Sequence, residues 1–77
     1  MTESEWLDTF SKKLIDKMCE RGYSVGDLAE DTGLSKSAIS YYINGARVPG
    51  VRAIINISRV LGCTVEELVN FGEKIES

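Results

Sequence analysis

The chain has 77 residues, 43% of them hydrophobic and 27% charged, with a net charge of −3 and no histidine. That length makes one small domain, and no apolar run approaches the roughly 18–20 residues of a membrane span. The acidic, mixed start MTESEWLDTF is unlike a basic-then-apolar secretion leader, so the expected compartment is the cytoplasm.

The spacing of Cys19 and Cys63 is neither a C-x-x-C motif nor a zinc-finger pattern, so both read as small reduced thiols of the core. With no histidine, no Gly-rich phosphate loop and no carboxylate cluster on one predicted face, no enzyme activity, cofactor, metal or small-molecule ligand is expected.

Strand signals are nearly absent, while helix punctuation recurs at short intervals. Leu7, Phe10, Leu14, Ile15 and Met18 follow three-four spacing up to Gly22, with Thr2 and Glu5, or Ser4 alone, capping the start. Ser24 then caps a second, short helix, with Asp27 at the third helical position and Tyr23 stapled onto Leu28. That helix stops near Gly33, a residue suited to positive φ. Ser35 caps the third helix, Leu34 staples to Ile39, and the helix runs to Asn44 before Gly45. A loop containing Pro49 leads into helix four, with Val51, Ile54, Ile55 and Leu61 as its apolar residues and Gly62 as its stop. Thr64 with Glu67 forms the cleanest capping box and opens a fifth helix with Leu68 and Val69. Asn56-Ile57-Ser58 matches a glycosylation sequon by chance. The expectation is an all-α, compact five-helix bundle, one domain over residues 1–77 with its core at about 4–71 and a tail at 72–77.

Helices two and three are separated by only TGLS, which forces a steep crossing, the helix-turn-helix geometry. Helical spacing puts Ile39, Tyr42 and Ile43 on one face of the third helix and Lys36, Ser37, Ser40, Tyr41 and Asn44 on the other. The adjacent tyrosines therefore part: Tyr42 inward, Tyr41 outward. Charge is zoned in the same way. Residues 1–31 carry eight acids and four bases, residues 66–77 four acids and one base, and Thr32–Val65 no acid beside Lys36, Arg47, Arg52 and Arg59. An acidic molecule with one basic, acid-free segment presents one face to polyanions. On that face serines and Tyr41 offer hydrogen-bonding groups to base edges or phosphates, and Lys36 reaches guanine acceptors or backbone. Arg52 and Arg59 read as solubilising or internally paired charges.

The stretch YSVGDLAEDTGLSKSAISYYINGARVPG…AIINISRVLGCTVEEL resembles the phage-repressor and Cro-like helix-turn-helix family, also called XRE. The likeness rests on Leu28-Ala29, Gly33-Leu34-Ser35, Ile39-Ser40, Gly45, Pro49, Leu61-Gly62 and Glu66-Glu67-Leu68, and it covers about residues 8–70. It implies a lambda-repressor-like domain whose third helix enters the major groove of a double-stranded DNA operator, with the start of the second helix on the backbone. It implies groove-facing positions for Ser35, Lys36, Ser37, Ser40 and Tyr41, and backbone contacts from Ser24, Asn44 and Arg47. Three positions depart from the family pattern. Val25 replaces a frequent Gln, Met18 and Ile43 stand where many members pair an Arg with an acid, and Gly50 stands where a Ser often caps helix four. An apolar pair at 18 and 43 avoids leaving one buried charge alone.

Proteins of this kind usually bind as dimers, and the expected homodimer contact uses Trp6, Val69, Phe71 and Ile75; the alternative is that Trp6 and Phe71 close the small core. The other functional expectation is a protein-interaction helix-turn-helix module, antitoxin-like or docking on a partner regulator, with weak or no DNA binding; the net charge and Val25 favour it.

Overall fold

A computed structural model describes residues 2–69 and forms five helices: α1 (Glu3–Arg21), α2 (Val25–Thr32), α3 (Lys36–Ile43), α4 (Val51–Leu61) and α5 (Val65–Val69). Side-chain caps set the start of every helix but α4, which begins after Gly50 without one. Thr2 and Glu5 exchange both bonds of a capping box, at 3.2 and 3.0 Å, and Ser24 and Asp27 do the same at 3.1 and 3.4 Å. Ser35 Oγ accepts the Ala38 N–H at 3.0 Å. The box expected at Thr64 is half made: Glu67 N–H donates to Thr64 Oγ1 at 3.1 Å, but the Glu67 carboxylate lies 3.5 Å from Lys17 Nζ. A cation across the α1–α5 contact outcompetes the backbone N–H for that carboxylate.

The core draws on every helix: Phe10, Leu14 and Met18 from α1, Leu28 and Ala29 from α2, Ile39 and Tyr42 from α3, Ala53, Ile57 and Leu61 from α4, and Leu68 from α5. Phe10, Leu14, Leu28, Ile39, Ile57, Leu61 and Leu68 are fully buried, and each contributes about 1.5–3 kcal/mol through the apolar surface it removes from water. α3 packs on α1 and α2, while α4 packs on α1, α2 and α5, so the third helix lies at the side of the bundle with one face free. Trp6 stacks flat on Phe10, ring centroids 5.4 Å apart. Among the described residues no helix is long and apolar enough to cross a membrane.

Three residues of the apolar series lie on the surface. Ile15 and Ile55 are exposed, and Val51 is 75% exposed. On α4 the inward line is Ala53, Ile57 and Leu61, at four-residue spacing. Val51 and Ile55 sit two residues from that line, about 200° around the helix. On α1 the inward line runs through Phe10, Ser11, Leu14 and Met18. Ser11, not Ile15, completes it, because the buried hydroxyl has a partner: it donates to the Tyr42 carbonyl at 2.6 Å. Met18 is buried and Ile43 packs against the core, so this part of the α1–α3 contact is apolar, with the Ser11 hydrogen bond beside it.

Candidate nucleic-acid interface

The turn between α2 and α3 is built around Thr32. Its hydroxyl donates to the Leu28 carbonyl at 2.7 Å and accepts the Leu34 N–H at 3.2 Å, while its carbonyl accepts from Asn56 Nδ2 at 3.5 Å. Gly33 follows at φ 80°, a left-handed conformation that glycine adopts without the Cβ clash. The turn is thus fastened to α4, and the angle between α2 and α3 is held from behind.

α3 divides as its spacing predicts. Ile39 is fully buried and Tyr42 only 7% exposed, whereas Tyr41, its neighbour, is 42% exposed. Ser35, Lys36, Ser37 and Asn44 are also exposed, and Ser40 is half-buried at the margin. Ser24 is exposed at the start of α2. The capping serines Ser24 and Ser35 each accept a backbone N–H through Oγ, which leaves the hydroxyl proton available to donate outward.

The cations of this surface differ from those of α1. The three ion pairs among the described residues join Lys12 to Asp8, Lys17 to Glu20 and Lys17 to Glu67, all involving α1. Lys36, Arg47, Arg52 and Arg59 join none of them, so the internal pairing expected for Arg52 and Arg59 is not found among the described residues. Lys36 lies across the start of α2: its Cε comes 3.5 Å from the position a Cβ on Gly26 would take. Lys36 therefore bridges α2 and α3 on the side where both helices begin, where unsatisfied N–H groups and aligned peptide dipoles favour anions. At the other end of α3, the Arg47 guanidinium lies over the Tyr41 ring, 4.4 Å from its centroid. Asn44 shares a shallow depression with Ser4, Glu5 and Asp8. At the start of α3, Lys36 shares a depression with Asp27 and Glu30 of α2, so carboxylates border the acid-free face of α3 on both sides.

The structure brings Ser24, Ser35 and Lys36 together at the α2–α3 start, Ser37, Ser40 and Tyr41 along α3, and Asn44 and Arg47 at its end. The residues named for dimer contact are less clearly assembled. Trp6 and Val69 are half-buried against the core, while Phe71 and Ile75 lie outside the described residues. Ser11, Thr32 and Asn56 were missed as supports of the interface. Ser11 left a trace in the sequence, a polar residue on the apolar stripe of α1; Asn56 left none beyond a chance sequon.

The helix-turn-helix family model matches residues 14–68 of the chain, a span that runs from α1 to the core residue Leu68. The chain is also 33% identical over 75 residues to the SPbeta prophage-derived uncharacterized HTH-type transcriptional regulator YotL of Bacillus subtilis (strain 168), with 94% of this chain and 92% of that protein covered. No solved structure gives a significant match. The match across four-fifths of the described fold, and the near end-to-end likeness to that regulator, agree with the capped α2–turn–α3 unit seen here: the chain belongs to the XRE-type helix-turn-helix family.

Proposed function

We propose that the chain is a sequence-specific DNA-binding transcriptional regulator of the repressor or Cro type, which lays α3 in the major groove of its operator. One observation carries the reading: the outward face of α3 is polar and acid-free, and the cations around it, Lys36 and Arg47, have no carboxylate partner among the described residues. A surface so arranged suits phosphates. In this reading Ser24, Ser35, Lys36, Asn44 and Arg47 hold the backbone, and Ser37, Ser40 and Tyr41 face base edges. The likeness to a protein named as a transcriptional regulator supports the same assignment. Two copies would bind half-sites about 34 Å apart, joined through Trp6, Val69, Phe71 and Ile75, in the cytoplasm where the nucleoid is found.

The direct test is binding to genomic fragments across a salt series. Affinity that falls steeply with salt is expected, with a log–log slope of about −0.9 per phosphate contacted. Absence of binding even at low salt would reject the DNA assignment and favour docking on a protein partner, the reading that the −3 net charge supports. Sedimentation at high micromolar concentration, with and without a selected operator, tests the dimer; a monomer under both conditions rejects it.

A further inference from the structure

Tyr41 and Arg47 are six positions apart, yet the guanidinium sits 4.4 Å from the ring centroid, inside the roughly 6 Å range of a cation–π contact. The backbone creates this proximity. Gly45 takes φ 70°, its N–H donates to the Tyr42 carbonyl at 3.3 Å, and the Ala46 N–H donates to the Tyr41 carbonyl at 2.8 Å. Together these two bonds form a Schellman closure, which fixes the direction in which the chain leaves α3. The next residue, Arg47, is thereby returned over the last turn of the helix it has just left. Nothing draws it elsewhere: residues 32–65 contain no carboxylate, and Arg47 forms no ion pair among the described residues.

We infer that Tyr41 is a positioning residue for Arg47, serving as a platform that holds the guanidinium at the end of α3 ready for a backbone phosphate. The inference rests on the DNA-binding reading and deepens it. A free arginine loses rotamer freedom when a phosphate immobilises it, and one already stacked on a ring loses less. The stack also restricts what Tyr41 can do for itself. With Arg47 over one ring face, that face is closed to a base, and the hydroxyl and the exposed edge remain for sequence contacts. Tyr41 thus contributes to the affinity for DNA of any sequence, through Arg47, in addition to any base preference.

A double-mutant cycle on a non-specific duplex tests this. Tyr41→Ala is expected to weaken non-specific binding about two- to fivefold, the worth of an exposed cation–π contact. The same substitution made in Arg47→Ala protein is expected to have a clearly smaller effect, and Tyr41→Phe, which keeps the ring, is expected to retain the coupling to Arg47 in the same cycle. An equal loss with and without Arg47 would overturn the inference, as would no loss at all in Tyr41→Ala while the wild type binds. A wild-type chain that binds no duplex at low salt instead overturns the DNA reading itself, and the inference with it. Thermal melts accompany each variant. If Tyr41→Ala does not fold, Tyr41→Leu, which keeps bulk without a π face, takes its place with the same expected result.

Discussion

A serine that caps a helix uses its oxygen as an acceptor and keeps its proton, so Ser24 and Ser35 each retain a donor at the α2–α3 start. Ser37 and Ser40 cap nothing, and their hydroxyls are free to match a base edge. Ser37→Ala and Ser40→Ala are therefore expected to alter base preference at one operator position each, by about 1–3 kcal/mol, with non-specific affinity unchanged; comparing selected binding sites for the two variants and wild type checks this. The two cysteines also separate at this scale. Cys19 is exposed, whereas Cys63 is half-buried and burial pushes its thiol pKa up, reducing the thiolate present at neutral pH. A maleimide is expected to label Cys19 first and Cys63 much more slowly, which mass spectrometry of the two peptides will resolve. Here the sequence was only half legible. Both cysteines were expected in the core, but Cys19 is exposed, one position beyond the buried Met18.

Among the helices, the least expected contact is the one between α1 and the end of α3. Ser11 Oγ donates to the Tyr42 carbonyl at 2.6 Å inside the core, and a Cβ on Gly45 would meet the same oxygen at 3.4 Å. Ser11→Ala is expected to cost about 0.5–1.5 kcal/mol, lowering Tm by several degrees in a domain of this size. Gly45→Ala is expected to cost about 1–2 kcal/mol, because a left-handed φ of 70° crowds any Cβ against its own carbonyl. Thermal unfolding followed by circular dichroism measures both. Helix positions were legible in advance because capping is local: Thr2, Ser24 and Ser35 act on N–H groups three residues away. Supports that join distant helices were not. Ser11 and Tyr42 are 31 positions apart, Thr32 and Asn56 are 24, and no local pattern encodes either pair. The same limit explains Ile15, Val51 and Ile55, whose spacing fits an apolar stripe until the neighbouring helices determine which line faces inward.

Over the whole molecule, acids gather on α1, α2 and α5, and the acid-free segment from Thr32 to Val65 covers α3 and α4. Such a polar charge distribution favours one orientation of approach to a polyanion and penalises the others. The zoning also sets the response to alkali. Lys17 is held protonated by Glu20 and then Glu67; the Tyr23 hydroxyl is held by its hydrogen bond to the Asp31 carboxylate; Cys63 is held by burial. All three pKa values are raised on folding, so the folded chain binds these protons more tightly than the unfolded one. Their contribution is complete below the unfolded values and is lost as pH rises through the folded ones. Stability is therefore expected to fall above about pH 8.5, where an unfolded cysteine begins to ionise, and further beyond about pH 10; urea titrations from neutrality upward give the slope. The division of α3 has a consequence for how such a domain can be given a new address. What fastens the helix is Ile39, Tyr42 and Ile43, with a hydrogen bond to backbone rather than to side chain, while the contacts proposed for DNA are carried by side chains on the opposite face. The address can be rewritten without disturbing the holder. Exchanging residues 37 and 40 with those of a relative, and moving 41 and 47 together as one letter, should transfer operator choice between proteins whose melting curves stay the same.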